Sequence, residues 1–177
     1  MIDGSALDLV DRARAGDKRA FEELLQPLIA PAARFAFGMV QDREEAEDVV
    51  QEAGLKAWRH LGNLREGAPF GPWFFGIVAN QCRTSLRSRW RSVLSFGELF
   101  GGDTVSAEAQ YLHGADLRQA LKSLPRDQRA AILLHFYLDL PLDQVAVSLG
   151  ISMAGVKSRI NRGLRRLRLA LPASEDA

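Results

Sequence analysis

Apolar residues recur at three- and four-residue steps along most of this chain, and no convincing alternation of apolar and polar residues appears. The first spacing is that of a helix with one buried face, whereas the second would predict strands. The predicted helices cover about 5–15, 17–40, 42–61, 73–91 and several segments after 115. The sequence therefore predicts an all-α fold.

The periodicity weakens between residues 92 and 114, where glycine, serine and threonine are frequent. Such a composition is typical of a linker. We therefore expect two small helical domains, residues 1–91 and 115–171, joined by a flexible linker over 92–114. A short tail, residues 172–177, follows the second domain and should be frayed.

Prolines and glycines set the remaining boundaries. Pro27 and Pro31 lie inside the second predicted helix and predict a bend or an interruption there. The stretch from Gly62 to Pro72 is rich in both residue types and is predicted to be a loop. Pro125 is expected at the first position of a later helix, where proline needs no N–H partner.

The strongest local signal lies near the C-terminus, where LDQVAVSLGISMAGVKSRINRGLRRLR predicts two helices joined by a tight turn. Gly150 suits the end of the first helix, and Ser152 suits the N-cap of the second. The apolar residues of the second helix form one stripe, made of Met153, Val156, Ile160, Leu164, Leu167 and Leu171. This arrangement predicts a helix-turn-helix whose second helix enters a DNA major groove.

The surface outside this stripe is basic and carries Lys157, Ser158, Arg159, Arg162 and Arg165. Arginine can grip phosphates or the acceptors of guanine, and small residues let the backbone approach the bases. An ordinary core helix with a solvated basic face is the alternative interpretation. The coincidence of turn, cap and charge segregation argues against it.

The net charge is only +1, but the charged residues are segregated along the chain. Six of the residues 42–52 are acidic, whereas the end of the fourth predicted helix holds four arginines and no acid. In the acidic helix, Leu55 lies on a polar face together with Asp48, Gln51 and Glu52. A leucine ringed by polar and acidic residues suggests a protein-docking patch, but one exposed leucine is also ordinary, and both interpretations stay open.

The fourth predicted helix carries Asn80, Arg83 and Arg87 on one side, next to the aromatic residues Phe70 and Trp73. Aromatic rings stack on unpaired bases, an amide can bond a base edge, and arginines follow the backbone. This combination suits single-stranded DNA. Plainer interpretations also stay open, since the rings could pack in the core and the arginines could form a solvated face.

Other functional classes find no support in the sequence. Cys82 is the only cysteine, so no intrachain disulfide can form, and the three histidines lack metal-site spacing. We expect no metal, no cofactor and no catalytic residues, because the sequence holds neither a phosphate-binding glycine loop nor a nucleophile elbow. No signal-peptide pattern and no apolar run of about 18 residues appears, which predicts a cytoplasmic protein.

Three segments, in this order, resemble the extracytoplasmic-function sigma factors of bacterial RNA polymerase. AEDVVQEAGLKAW (46–58) is similar to that family's polymerase-clamp helix, and PWFFGIVANQCRTSLRSRWR (72–91) to its promoter-opening and minus-ten segment. The stretch 124–168 is similar to its minus-thirty-five domain. The resemblance implies a promoter-specificity subunit without catalysis of its own, which binds core polymerase and helps to melt promoter DNA.

The resemblance also implies roles for individual residues. The residues that would dock on the coiled coil of the largest polymerase subunit are Asp48, Gln51, Glu52 and Leu55. The loop from Gly62 to Pro72 would help to capture a flipped base of the minus-ten strand, and the side chains implied at that element are Phe70, Trp73, Asn80, Arg83 and Arg87. The residues implied at the minus-thirty-five duplex are Ser152, Lys157, Ser158, Arg159, Arg162 and Arg165.

Further partners are implied by the same resemblance. They are the flap of the second-largest polymerase subunit and an anti-sigma factor that keeps the protein silent, with a monomer as the free state and no insertion into a membrane. Gly54, Thr84 and Gly155 depart from the residues that are usual in the family.

Two rival functions stay open. A helix-turn-helix regulator that works as a dimer without core polymerase would leave the acidic helix and residues 73–91 unexplained. A sigma mimic that only titrates an anti-sigma factor would have no use for six basic residues on its recognition helix. An enzyme is possible, but no motif supports it.

Overall fold

A computed structural model describes residues 4–96 and 115–171 of the chain, with side chains described within 7–89 and 117–171. All regular elements in these ranges are helical, which confirms the predicted all-α fold. Four helices precede residue 97, namely α1 (Gly4–Arg14), α2 (Lys18–Val40), α3 (Arg43–Arg59) and α4 (Phe70–Phe96). Four follow residue 114, namely α5 (Ala115–Ser123), α6 (Arg126–Ile132), α7 (Leu142–Leu149) and α8 (Met153–Ala170).

Aspartate caps begin α2 and α3. Asp17 accepts hydrogen bonds from the backbone N–H groups of Arg19 and Ala20, and Asp42 accepts one from Glu45. Each cap satisfies donors that have no partner inside the helix. A hydrogen bond from Arg12 is the main reason that the pKa of Asp17 is lowered, and the backbone bond from Ala20 adds to the effect. Asp17 therefore holds the first turn of α2 through its backbone hydrogen bonds and is itself held by Arg12.

Two helix boundaries differ from the predicted ones. α2 stays helical through Pro27 and Pro31, so the predicted interruption does not occur. α4 begins at Phe70 rather than Trp73, because Pro72 fits into a first turn, where its missing N–H is not needed. It also runs to Phe96 rather than Arg91, so the first five residues of the predicted linker are helical.

The rest of the predicted linker, residues 97–114, and the predicted tail, residues 172–177, lie outside the described residues. Pro125 is one position earlier than expected, since it occupies the N-cap of α6 and the helix begins at Arg126. The shift has a simple reason: the carbonyl oxygen of Pro125 already accepts the backbone bonds from Gln128 and Arg129.

The N-terminal domain closes around an aromatic and aliphatic core. Phe35, Phe74, Met39 and Val78 are among its fully buried side chains. Phe21 joins a second group of rings, packing edge-on against Trp58 and Phe70. Such edge-to-face pairs favour one arrangement of the rings and so hold α2, α3 and α4 in register.

The C-terminal domain is the helix-turn-helix with two helices in front of it. α6 continues through one wider turn, a π-helix over Leu133–Tyr137, before the chain reaches α7. Leu134, Val145 and Val156 are among the fully buried side chains of this domain. A Cβ at Gly163 would lie 2.5 Å from the end of Ile132, so this glycine lets α8 approach α6 closely.

The two domains lie against each other, an arrangement that the sequence did not predict. α4 runs along α7, and a Cβ placed on Gly76 would be 2.7 Å from the carbonyl oxygen of Ser148. A Cβ on Gly38 would likewise be 2.8 Å from Leu133. At Gly76 the backbones of the two domains therefore approach each other as closely as glycine allows, whereas at Gly38 α2 meets the end of the Leu133 side chain.

Candidate nucleic-acid interface

The helix-turn-helix has the local geometry that the sequence predicts. Gly150 ends α7 in the left-handed conformation with φ 64°, and the Ser152 hydroxyl accepts a hydrogen bond from the Gly155 N–H at 3.1 Å. Val156, Ile160 and Leu167 are buried beneath α8. Within the predicted apolar stripe, Leu164 and Leu171 are half-buried, whereas Met153 is exposed at the start of the helix. The predicted orientation of α8 is confirmed.

The outer surface of α8 is open and basic. Lys157, Ser158, Arg162 and Arg165 are exposed there, as expected for a face that meets DNA. The Arg162 guanidinium donates to the Ser158 carbonyl oxygen at 3.3 Å, a contact weak enough to be exchanged for a phosphate or a base. Ser152 differs in role, because its hydroxyl is already engaged as the helix cap.

Arg159 does not share this open surface. Its side chain is only 23% exposed and lies 3.4 Å from a carboxylate oxygen of Asp127 on α6. The structure therefore places Arg159 apart from the other predicted contacts of this helix.

A second surface lies along α4. Gly76, Asn80, Arg83 and Arg87 project within about 60° of one another, so they form one stripe. Asn80 and Arg87 are exposed, but the Arg83 side chain is only 25% exposed and lies 3.6 Å from Asp127. The α4 stripe thus touches the C-terminal domain at Gly76 and at Arg83.

The two predicted aromatic residues have different surroundings. Phe70 is buried, and its ring stacks on Phe74 with centroids 6.1 Å apart. The plainer interpretation, core packing, therefore describes Phe70 in this structure. Trp73 is half-buried beside Phe70 and also faces a surface cavity next to the α4 stripe.

This cavity holds about 300 Å³, at the lower end of the range of small-molecule sites. It lies between the end of α3 and one side of α4 and is lined by Lys56, His60, Asn63, Trp73, Ile77, Asn80 and Gln81. Of these, sequence reasoning singled out Trp73 and Asn80 and placed Asn63 in the capturing loop. It missed the remaining lining residues, because the sequence of neither helix alone shows which of its residues face the other helix.

Hydrogen bonds fix the polarity of the cavity wall. Arg83 donates to the Asn80 side-chain oxygen at 2.7 Å, and Lys56 donates to the Gln81 side-chain oxygen at 2.6 Å. Both amide oxygens are therefore occupied, and in the described part of the chain neither amide nitrogen donates a bond. A wall of this kind offers donors, so it suits the acceptor-bearing edge of a base.

A third surface lies on α3. Asp48, Gln51 and Glu52 are exposed around Leu55, which is itself 44% exposed. The predicted exposed leucine within a polar face is thus confirmed.

Two residues next to this face, Glu45 and Gly54, pack against other helices. Glu45 faces α4 and accepts hydrogen bonds from Ser85 and from Arg89, the latter at 3.3 Å. At Gly54, one of the departures from the family pattern, a Cβ would lie 3.5 Å from Leu25 of α2. Such a distance is ordinary contact, so the structure leaves room for a Cβ at position 54.

Comparison with known proteins assigns both halves of the chain. Residues 20–92 match the family described as Sigma-70 region 2, and residues 114–167 match Sigma-70, region 4. The RNA polymerase sigma-H factor of Pseudomonas aeruginosa is 32% identical, with 92% of each chain covered. SigL of Mycobacterium tuberculosis, an ECF RNA polymerase sigma factor, is 34% identical over 92% of this chain and 94% of its own.

The chain belongs to the extracytoplasmic-function family of RNA polymerase sigma factors. As a sigma factor it directs promoter-specific initiation of transcription. Among solved structures, it is similar to the sigma factor RpoE of Bartonella quintana in complex with the anti-sigma factor NepR. That likeness has a TM-score of 0.71 at 30% identity and covers 87% of this sigma factor and 99% of the solved chain.

The likeness to this solved structure extends over both domains. Neither domain alone fills 87% of the sigma factor, so the superposition must include parts of both in a similar relative placement. In the portion of the chain that the structure covers, no helix is both long enough and apolar enough to span a bilayer.

Proposed function

We propose that this sigma factor recognises its promoters through two separate surfaces, α8 for the minus-thirty-five duplex and the α4 stripe for the opened minus-ten strand. The observation that carries the proposal is the donor-lined cavity beside Asn80 at the start of that stripe. A protein that reads only duplex DNA has no need of it, whereas melting exposes a single base that must be held.

On α8, the proposed contacts are Lys157, Ser158, Arg162 and Arg165. Their side chains are all exposed, and no acid lies on this helix to repel phosphate. Ser152 would contribute through the backbone at the helix start, where N–H groups and the helix dipole favour a phosphate. Arg159 can join them only after it leaves Asp127.

On α4, Arg83 and Arg87 are proposed to hold the backbone of the melted strand, while Asn80 bonds the edge of a flipped base. Trp73 provides an aromatic wall on which that base can stack. Phe70 supports this wall from the core rather than touching the base, since its ring packs on Phe74 and Trp73.

The exposed face of α3 is proposed to dock on the coiled coil of the largest polymerase subunit. Leu55 would be the apolar centre of the contact, and Asp48, Gln51 and Glu52 would form a polar rim. The C-terminal domain would bind the flap of the second-largest subunit. The sigma factor itself then needs no catalytic residue, because the polymerase carries out the chemistry.

An anti-sigma factor is the proposed inhibitor. RpoE of Bartonella quintana was solved with the anti-sigma factor NepR, and its likeness to this sigma factor extends over both domains. We propose that an inhibitor of this sigma factor likewise binds the form in which the two domains lie together.

Transcription in vitro tests the proposed function. Core RNA polymerase is combined with the full chain on a fragment library of the source genome, and the 5′ ends of the transcripts are sequenced. We expect new starts that share an upstream and a minus-ten element and that vanish when the protein is omitted. A helix-turn-helix regulator or a sigma mimic would yield no start of its own, and that result would overturn the proposal.

A further inference from the structure

Arg14, the last residue of α1, reaches the loop between α3 and α4, residues 60–69. Its guanidinium donates a hydrogen bond to the Leu64 carbonyl oxygen, 50 positions away along the chain. Its other terminal nitrogen lies 3.4 Å from a carboxylate oxygen of Asp11, one turn earlier on α1. The Arg14 side chain is only 25% exposed, so solvent screens these contacts less than on an open surface. α1 therefore holds one defined point of the α3–α4 loop.

The point that Arg14 holds lies next to the cavity proposed to hold the flipped base (the base cavity). Asn63, the residue before Leu64, lines this cavity together with Trp73 and Asn80. Each residue has only two soft backbone dihedral angles. Fixing the Leu64 carbonyl group therefore limits the directions in which Asn63 can leave the backbone.

The other contacts of the loop do not fix its orientation. Backbone bonds inside the loop run from Asn63 to His60 at 2.8 Å, from Leu64 to Leu61 at 3.1 Å and from Ala68 to Arg65 at 3.0 Å. These bonds shape the loop, but none of them joins it to α1. The side chains of Leu61 and Leu64 are buried in the core, and apolar burial is not directional. A hydrogen bond is directional, so the bond from Arg14 supplies the missing orientation.

The tip of the loop stands away from α1. A cavity of about 210 Å³ lies between them, with Leu7 and Val10 on the side of α1 and residues 65–68 on the side of the loop. Gly67 in this tip has φ 71°, a conformation that glycine adopts without strain. The tip therefore has room to shift when a base enters on the other side, while the bond from Arg14 keeps the start of the loop in place.

We propose that Arg14 is a positioning residue for minus-ten recognition, because it anchors Leu64 to α1 and so places Asn63 against the base cavity. Arg14 itself touches no base. α1 thereby contributes to reading the minus-ten strand although it belongs to neither DNA-binding surface. This inference rests on the proposed function, since it concerns the same cavity.

The test compares Arg14→Met with Arg12→Met in the full chain. Methionine keeps an unbranched apolar side chain but cannot donate a hydrogen bond. Arg12 lies on the same helix, and its hydrogen bonds go to Asp17 rather than to the loop, so its loss reports a merely structural effect. Arg14→Lys keeps a charged donor and should restore part of the function. Should Arg14→Met fail to fold by circular dichroism, Arg14→Gln replaces it, with Arg12→Gln as the control.

Hydrogen exchange followed by mass spectrometry tests the anchor in the free chain. The backbone amides of residues 60–69 should exchange about two- to tenfold faster in Arg14→Met, the range that corresponds to one lost hydrogen bond. Arg12→Met should leave their exchange unchanged. A loop that exchanges equally fast in Arg14→Met and in the unchanged protein would refute the anchor.

Transcription with core polymerase tests the consequence for base reading. Four promoters that differ only at the flipped position of the minus-ten element give the ratio of transcription from the preferred base to that from the others. Arg14→Met should lower this ratio by about two- to tenfold, and Arg14→Lys should recover part of it. Arg12→Met should keep the ratio, because a protein that is only less stable loses transcription from all four promoters alike.

The outcomes keep the two proposals apart. If the unchanged protein prefers one base and Arg14→Met has the same ratio, the positioning role is overturned and the proposed function stands. A ratio near one in the unchanged protein would also overturn the positioning role, since no base would then be read at that position. If the unchanged protein yields no starts from any of the four promoters, the proposed function is overturned, and the positioning role falls with it.

Discussion

A single methyl group at Gly76 should separate the two domains. With the two domains packed against each other (the closed form), the added Cβ of Gly76→Ala would lie 2.7 Å from the Ser148 carbonyl oxygen, a distance that real Cβ atoms do not adopt. The obstacle is backbone within α7, so no side-chain rotation can relieve it. Gly71, in the first turn of the same helix, is the matched control, because its Cβ would meet Leu28 at an ordinary 3.7 Å.

Two contributions have to be compared to find the size of the effect. Alanine favours a helix over glycine by up to about 1 kcal/mol, and this gain is the same whether the domains are closed or open. Overpacking costs about 1–3 kcal/mol, and here only the closed form bears it. Gly76→Ala should therefore shift closure by about 1–3 kcal/mol, or roughly 5- to 150-fold. Gly71→Ala should leave closure unchanged.

Thiol labelling measures that shift directly. Ser148 is buried beside α4, so a thiol introduced by Ser148→Cys reacts only in the open fraction. The native thiol, Cys82, is fully buried, and burial raises its pKa to about 12, so it stays silent. Labelling in the Gly76→Ala background should be roughly 5- to 150-fold faster than in the Gly71→Ala background. Equal rates in the two backgrounds would refute the packing argument.

Four further outcomes are expected. Leu55→Asp should abolish capture of the protein by core polymerase without changing its melting temperature. Leu7→Asp, on a similarly exposed leucine of α1, should be captured as well as the unchanged protein. If core polymerase captures both variants, α3 is not the docking face. Arg162→Ala should weaken binding to the upstream promoter element by about 1–3 kcal/mol if Arg162 bonds a base. If Arg162 bonds a phosphate, the variant should instead lower the slope of binding affinity against salt concentration by about one. Footprinting at several salt concentrations distinguishes the two outcomes. Asn80→Ala should slow promoter opening on duplex DNA, and its defect should disappear on a pre-melted template that is abasic at the flipped position; an equal defect there would rule out base reading. Burial raises the pKa of the Cys82 thiol from 9.0 to about 12. The free energy of unfolding should therefore not depend on this thiol below pH 9, and it should fall by about 1.4 kcal/mol per pH unit above, because only the unfolded chain then loses the proton. Urea unfolding should show that this contribution is missing in Cys82→Ala.

Local chemistry made much of the fold predictable. Asp42 and Ser152 are caps because a short acceptor precedes a helix by one residue, and Gly150 adopts positive φ where the chain must leave α7. The exposure of Leu55 follows from its position opposite the apolar stripe of α3. Each of these features depends on residues within about one helical turn, so spacing alone determines it.

The unpredicted features all join distant parts of the chain. Arg159 was placed on the DNA face because the periodicity of α8 cannot show that α6 brings Asp127 to its side. The partner of Arg83 is 44 positions away along the chain, in the other domain. Phe70 was assigned to DNA because no local pattern shows that α4 begins early enough to turn its ring onto Phe74. Contacts of this kind depend on how helices meet, which no single helix encodes.

The contact between the two domains includes a buried charge. Arg129 is buried with three carbonyl oxygens as its acceptors, those of Met39, Lys122 and Leu124, and burial lowers its pKa because the charge is taken out of water. A guanidinium in such surroundings gains less than it would beside a carboxylate.

Only one of these three bonds crosses to the other domain, so opening the boundary removes the bond to Met39 and returns part of the charge to water. Among the described side chains, the buried Arg83 Nε also lacks a hydrogen-bond partner, which makes the contact between the two domains less favourable still. Separation of the domains should therefore require less free energy than unfolding either one.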